Sequence, residues 1–168
     1  YRRLFRYVAV HEANQGPSQL DEGVAEFAAK FPVEQFSETP INLYGDRTGH
    51  AASHKIAGSD FEMIKKLLKE LGYRNVTICA SRRVAPEAAS VEAMNALFRN
   101  DLFVLCRRVR LLRRSLMATR WKEGIRKLDK PAGETHTHPA DGCKYWAWQE
   151  TRHETGKLIN NQIGTISE

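Results

Sequence analysis

The chain has 168 residues, 42% of them hydrophobic and 27% charged, with 26 Lys and Arg against 20 Asp and Glu for a net charge of +6. Such proportions belong to an ordinary globular domain able to bury a core, and they exclude a disordered tail, a collagen-like repeat and a small disulfide scaffold. No apolar run approaches the roughly 20 residues that a membrane span needs. The pI of about 9.4 predicts a surface that attracts polyanions. Three scattered cysteines, Cys79, Cys106 and Cys143, form no C-x-x-C pair; they suit a reducing cytosol and offer no Cys-based zinc site. No signal peptide or lipidation motif is visible, and the chain opens on Tyr1-Arg2-Arg3, as an excised or truncated piece of a longer protein would.

In chain order, Leu4 to Val10 reads as a strand, rich in aromatic and β-branched residues. Gly16-Pro17 breaks it, and Ser18 is placed to cap a helix running to Phe31, with Leu20, Val24, Phe27 and Phe31 on one face and Pro32 at its end. Ile41 to Tyr44 is a second strand, running directly into Gly45-Asp46-Arg47-Thr48-Gly49, and His50 to Gly58 has no period and reads as a loop. Ser59 with Glu62 forms a capping box for a helix whose stripe is Phe61, Ile64, Leu68 and Leu71, stopped by Gly72. Asn75 to Cys79 is a strand. Pro86 opens a helix carrying Val91, Met94, Leu97 and Phe98; Leu102 to Leu105 is the last strand, and a basic helix runs from Arg107 to Trp121. A linker at Lys130-Pro131-Ala132-Gly133 precedes a final helix from Pro139 to Glu150, and a polar tail follows from Thr151. Alternating strands and helices predict an α/β layered domain over residues 1–150, a sheet covered by helices, with 151–168 as a tail.

Three features could carry chemistry. Asp46 stands at the end of a strand, where open α/β sheets bind ligands; Asp-x-x-Gly also suits a self-bonded turn. In Thr137-His138-Pro139-Ala140-Asp141, His138 and Asp141 are one helical turn apart, and the acid also complements the helix dipole. No partner pair with zinc spacing accompanies the two histidines at 136 and 138. The third feature is the basic helix: Arg107, Arg108, Arg110, Arg113, Arg114, Arg120 and Lys122 have no acid among them, while Val109, Leu112 and Leu116 form its apolar side. One-signed charge suits contact with phosphates as well as a solvated face. His50, His54 and Lys55 are candidates for the same patch, and Tyr145, Trp146 and Trp148 belong to an amphipathic helix and are expected in the core.

Tyr44-Gly45-Asp46-Arg47-Thr48-Gly49, then Gly58-Ser59-Asp60-Phe61, Val91-Glu92-Ala93-Met94-Asn95-Ala96-Leu97, Leu128-Asp129-Lys130, and Thr137-His138-Pro139-Ala140-Asp141 running to Tyr145, in this order and spacing, resemble the nuclease domain of phage terminase large subunits. The resemblance implies a ribonuclease H-like fold with a central mixed sheet, and a metal-dependent endonuclease that cuts concatemeric double-stranded DNA during packaging. By the same resemblance, Asp46 and Asp141 would hold two Mg²⁺ or Mn²⁺ ions and His138 would assist them. The expected partners are double-stranded DNA, an ATPase motor domain, a small terminase subunit and a portal protein, in the cytoplasm of a host cell. Two ions about 3.5–4 Å apart can activate a water and stabilise the leaving oxygen of a phosphodiester, and oxygen ligands suit both metals. Arg107, Arg108, Arg110, Arg113, Arg114 and Lys122 would hold the DNA backbone without reading sequence.

The sequence departs from that pattern in places. The family's first catalytic Asp lies on an initial strand, and no such Asp occurs here; the first is Asp21, inside a helix. That strand is therefore expected upstream or lost, and Glu12 becomes the candidate substitute, as ligand or simply as a solvated strand-end acid. Ser90 stands where the family often has Arg, and no G-x-x-x-x-G-K-[ST] loop of a motor domain is present. The alternatives are a catalytically silent DNA-binding prophage remnant and a different ribonuclease H-like nuclease, such as a junction resolvase.

Overall fold

The computed structural model describes residues 7–9, 19–51, 58–83, 85–124, 127–129 and 138–151. The chain divides into two compact units. One is continuous, Ala13–Val84; the other is split, formed by Tyr1–Glu12 together with Ala85–Glu168. Both are mixed α/β. Six α-helices occur among the described residues, and the strands pair in two ladders, both parallel.

In the continuous unit, α1 spans Leu20–Lys30, α2 Val33–Phe36, β2 Ile41–Leu43, α3 Asp60–Glu70 and β3 Val76–Ile78. Gln19, and not Ser18, occupies the cap position of α1, with no side-chain cap bond. Pro32 does end that helix, and it also opens the next: its fixed φ and absent N–H suit the residue before a first turn, so α2 follows at once. The start of α3 is as expected, with the Ser59 hydroxyl accepting from the Glu62 amide at 3.3 Å. Phe61 and Leu68 are buried, but Leu71 is 47% exposed, a correction to its place in the stripe. It lies at the C-cap, where the backbone is already turning toward Gly72 at φ +104°, a conformation that disfavours any Cβ. β2 pairs with β3 from Ile41 beside Val76 to Leu43 beside Ile78. The core gathers Val24, Leu68, Tyr73 and Val76, with Phe27, Ile41 and Ile64 packed against it. The Tyr73 hydroxyl is satisfied by the Phe31 carbonyl at the end of α1.

In the split unit, β1 (Tyr7–Ala9) pairs in parallel with β4 (Phe103–Leu105), and α4 (Glu87–Arg99), α5 (Arg110–Ala118) and α6 (His138–Thr151) complete it. Ala93 and Ala96 on α4 and Ala140 and Ala147 on α6 are buried; side chains this small let two helices approach closely. Met94, Leu97, Phe103, Val109 and Leu112 fill the centre, and Trp146 lies over Phe103 with ring centroids 5.1 Å apart. Between α5 and α6 the backbone folds back on itself: Lys122 donates to Lys127 at 2.8 Å, Asp129 to Arg120 at 2.7 Å, and Trp121 faces Leu128 across an antiparallel bridge. Thr151, expected to begin the tail, is buried as the last residue of α6, its hydroxyl donating to the Ala147 carbonyl at 2.7 Å. The expected linker 130–133 and the tail beyond Thr151 lie outside the described residues. No helix among the described residues is long and apolar enough to cross a membrane.

Candidate nucleic-acid interface and carboxylate positions

The basic helix is shorter than its charge run. Arg107 and Arg108 lie in the turn before α5, and Arg120 and Lys122 follow it, all four exposed. Within α5 the apolar spacing decides the orientation. Val109 at the cap is 1% exposed, Leu112 and Ser115 are buried and Leu116 is half-buried, so Arg110, Arg113 and Arg114 are left exposed. Neither Arg113 nor Arg114 has an ion-pair partner among the described residues. The helix is also fixed in place. The Ser115 hydroxyl accepts from the Ala140 amide in the first turn of α6 at 3.0 Å, and the Thr119 hydroxyl donates to the Ser115 carbonyl at 2.7 Å. A rigid helix presenting cations of one sign can follow a phosphate backbone at little entropic cost.

Asp46 lies in the continuous unit, just past β2 at the carboxyl end of the parallel β2–β3 ladder. It caps a 3-10 turn over Arg47–His50, its Oδ1 accepting from the Thr48 amide at 3.3 Å, and it is exposed. The turn lies against Phe61: a Cβ on Gly49 would stand 2.6 Å from the ring's Cε2, and one on Gly45 3.0 Å from its Cζ. The His50 ring lies tilted against the same ring with centroids 4.9 Å apart, and its Nε2 is 2.9 Å from the Ala80 carbonyl just past β3. A carbonyl only accepts, so Nε2 carries a hydrogen in that bond. The Gly-Asp-Arg-Thr-Gly run thus has a packing reason as well as a turn-forming one. His54 and Lys55 lie outside the described residues.

His138 and Asp141 lie on α6 of the split unit, His138 exposed at its first residue. Asp141 has a cationic neighbour that its place in the first turn of α6 does not announce. Lys144, one turn on, is buried, and its Nζ sits 2.7 Å from Asp141 Oδ1, with side-chain exposures of 7% and 17%. Burying an ammonium is costly unless an anion compensates it, so the Asp141 carboxylate has a structural task. An Asp–Lys pair three residues apart on a helix ordinarily reads as a surface pair; the only hint in the sequence is its setting among Tyr145, Trp146 and Ala147. Cys143, beside it, has its thiol pushed up to about 12 by burial, which keeps it neutral and a poor ligand or nucleophile.

Glu12 lies outside the described residues. Among those described, no group of three or more His, Cys, Asp or Glu side chains is arranged to hold a metal ion. Within its own unit, Asp46 is exposed and caps its own turn, and Asp141 in the other is matched by the Lys144 ammonium. No family model matches the chain, and no curated protein and no solved structure matches it either.

Proposed function

We propose that this chain is a DNA-binding domain of the terminase nuclease type, holding double-stranded DNA by its phosphate backbone through α5. The observation that carries the reading is the exposed arginine face of α5, seated on a buried apolar side and tied by Ser115 to α6. Cleavage, with Asp46 and Asp141 as metal ligands and His138 as their support, rests on the sequence resemblance; so do the ribonuclease H-like fold, the motor and portal partners and the host-cell setting. The buried Lys144–Asp141 pair favours the second reading, a catalytically silent binding domain, because the charge a dication would need is already matched.

One set of measurements tests both. Binding to blunt duplex DNA, followed across salt concentrations, should weaken steeply with salt, and the Arg113→Ala/Arg114→Ala double variant should flatten the slope by about 2. A variant slope equal to that of the parent sinks the α5 reading. Cleavage of supercoiled plasmid with Mn²⁺ is then compared with Asp46→Asn, which keeps an acceptor for the Thr48 amide while removing the charge. Cleavage abolished by that change supports the nuclease; binding without cleavage in either protein supports the silent form.

A further inference from the structure

The doubled-back segment between α5 and α6 holds an aromatic side chain in an unusual place. Trp121 is 44% exposed, yet its backbone is held on both sides by the bonds of the antiparallel bridge. Its partner across the bridge, Leu128, is buried and donates its amide to Glu87 Oε2 on α4 at 3.1 Å. An indole left in water costs hydrophobic free energy, and here the backbone that carries it is fixed in position. It lines a groove of about 470 Å³ against α4, together with Val91, Asn95, Lys122 and Glu92, whose carboxylate is paired with Arg99 at 2.9 Å. That volume falls within the roughly 300–1,000 Å³ of small-ligand sites. Lys122 and the neighbouring Arg120 are exposed cations, and the arginines of α5 precede them with no acid between Arg107 and Lys122.

From the exposed indole on a pinned backbone, the carboxamide that shares its groove, and the cations Arg120 and Lys122 beside a Glu92 already matched by Arg99, we infer that this groove takes an unpaired nucleobase of a nucleic-acid strand. The base stacks on Trp121, Asn95 meets its polar edge, and Lys122 and Arg120 hold the flanking phosphates. Aromatic platforms edged by cations bind single strands in this way because every base has a π-face. Asn presents a donor and an acceptor side by side, matching the mixed pattern of a base edge. The inference rests on the reading of α5 as a phosphate-binding face and extends it to strand ends, gaps and melted segments.

The test uses the full chain with three probes of equal phosphate count: a blunt DNA duplex, a duplex carrying a short unpaired tail, and a single strand as DNA or RNA. The tailed duplex should bind about tenfold more tightly than the blunt one. Trp121→Ala should remove that preference while leaving blunt-duplex affinity unchanged, and Trp121→Phe should keep most of it. Addition of the tail should quench tryptophan fluorescence in the parent and leave it nearly unchanged in Trp121→Phe, which reports stacking even if the alanine variant fails to fold. Equal binding of blunt and tailed duplexes by the parent, or quenching that survives in Trp121→Phe, overturns the inference. Binding of the single strand without the duplex would remove the duplex reading and keep this one; binding of neither would remove both.

Discussion

Replacing Asp141 with Asn removes the anion facing a buried ammonium. Truncating one partner of a fully buried pair costs about 3–5 kcal/mol. Asp141 keeps 17% of its side chain exposed, so water and the remaining amide oxygen recover part of that, and about 2–3 kcal/mol is expected. Replacing Lys144 with Met in the same chain removes the stranded charge, and its volume and flexible stem suit the space left. The double variant Asp141→Asn/Lys144→Met should therefore return to within about 1 kcal/mol of the parent. Urea unfolding followed by tryptophan fluorescence reads this directly, since Trp146 and Trp148 lie on the same helix. In a protein of this size the single change should lower Tm by about 4–12 °C. If Asp141→Asn unfolds within about 0.5 kcal/mol of the parent, the range of an ordinary surface substitution, or the double variant is no more stable than the single, the ion pair does not hold the fold together. The result also bears on any activity assay. Loss of cleavage on replacing Asp141 alone would mix unfolding with chemistry, whereas loss that persists in a refolded double variant would concern the reaction.

Two further outcomes follow from the packing and the buried thiol. Gly49→Ala should cost about 1–3 kcal/mol, because its Cβ would stand 2.6 Å from the Phe61 ring; adding Phe61→Leu should relieve part of that cost, and thermal unfolding of the two proteins compares them. Burial raises the Cys143 thiol, so the folded chain holds its proton where the unfolded chain releases it. The corresponding stability is fully present below about pH 8.5 and is lost as pH rises toward the folded value; urea midpoints measured from pH 7 to 10 should fall less steeply in Cys143→Ala.

Local structure was legible where one side chain decides it. Ser59 and Gly72 mark the ends of α3, and the spacing of Val109, Leu112 and Leu116 sets which way the arginines of α5 face. Where two readings of a residue compete, the sequence is silent. Pro32 both ends a helix and opens one, and Leu71 has the period of a buried residue at a place where the helix is ending. Lys144 and Trp121 break the expectation that charge lies outside and indole inside; the partners that decide such cases come from other turns and other elements. The division into two units has no compositional mark either, since the segment that closes the split unit is set by pairing between distant strands.

That pairing has a consequence in time. Tyr7 lies beside Phe103 in the β1–β4 ladder, so the chain must produce nearly a hundred further residues before the first strand finds its neighbour. At synthesis rates of about 5–20 residues per second, β1 waits roughly 5–20 seconds, while the whole of Ala13–Val84 can already be collapsing. Loop closure over such a distance is slow. The continuous unit is therefore expected to acquire protection from hydrogen exchange first during refolding, with β1 among the last backbone segments to be shielded.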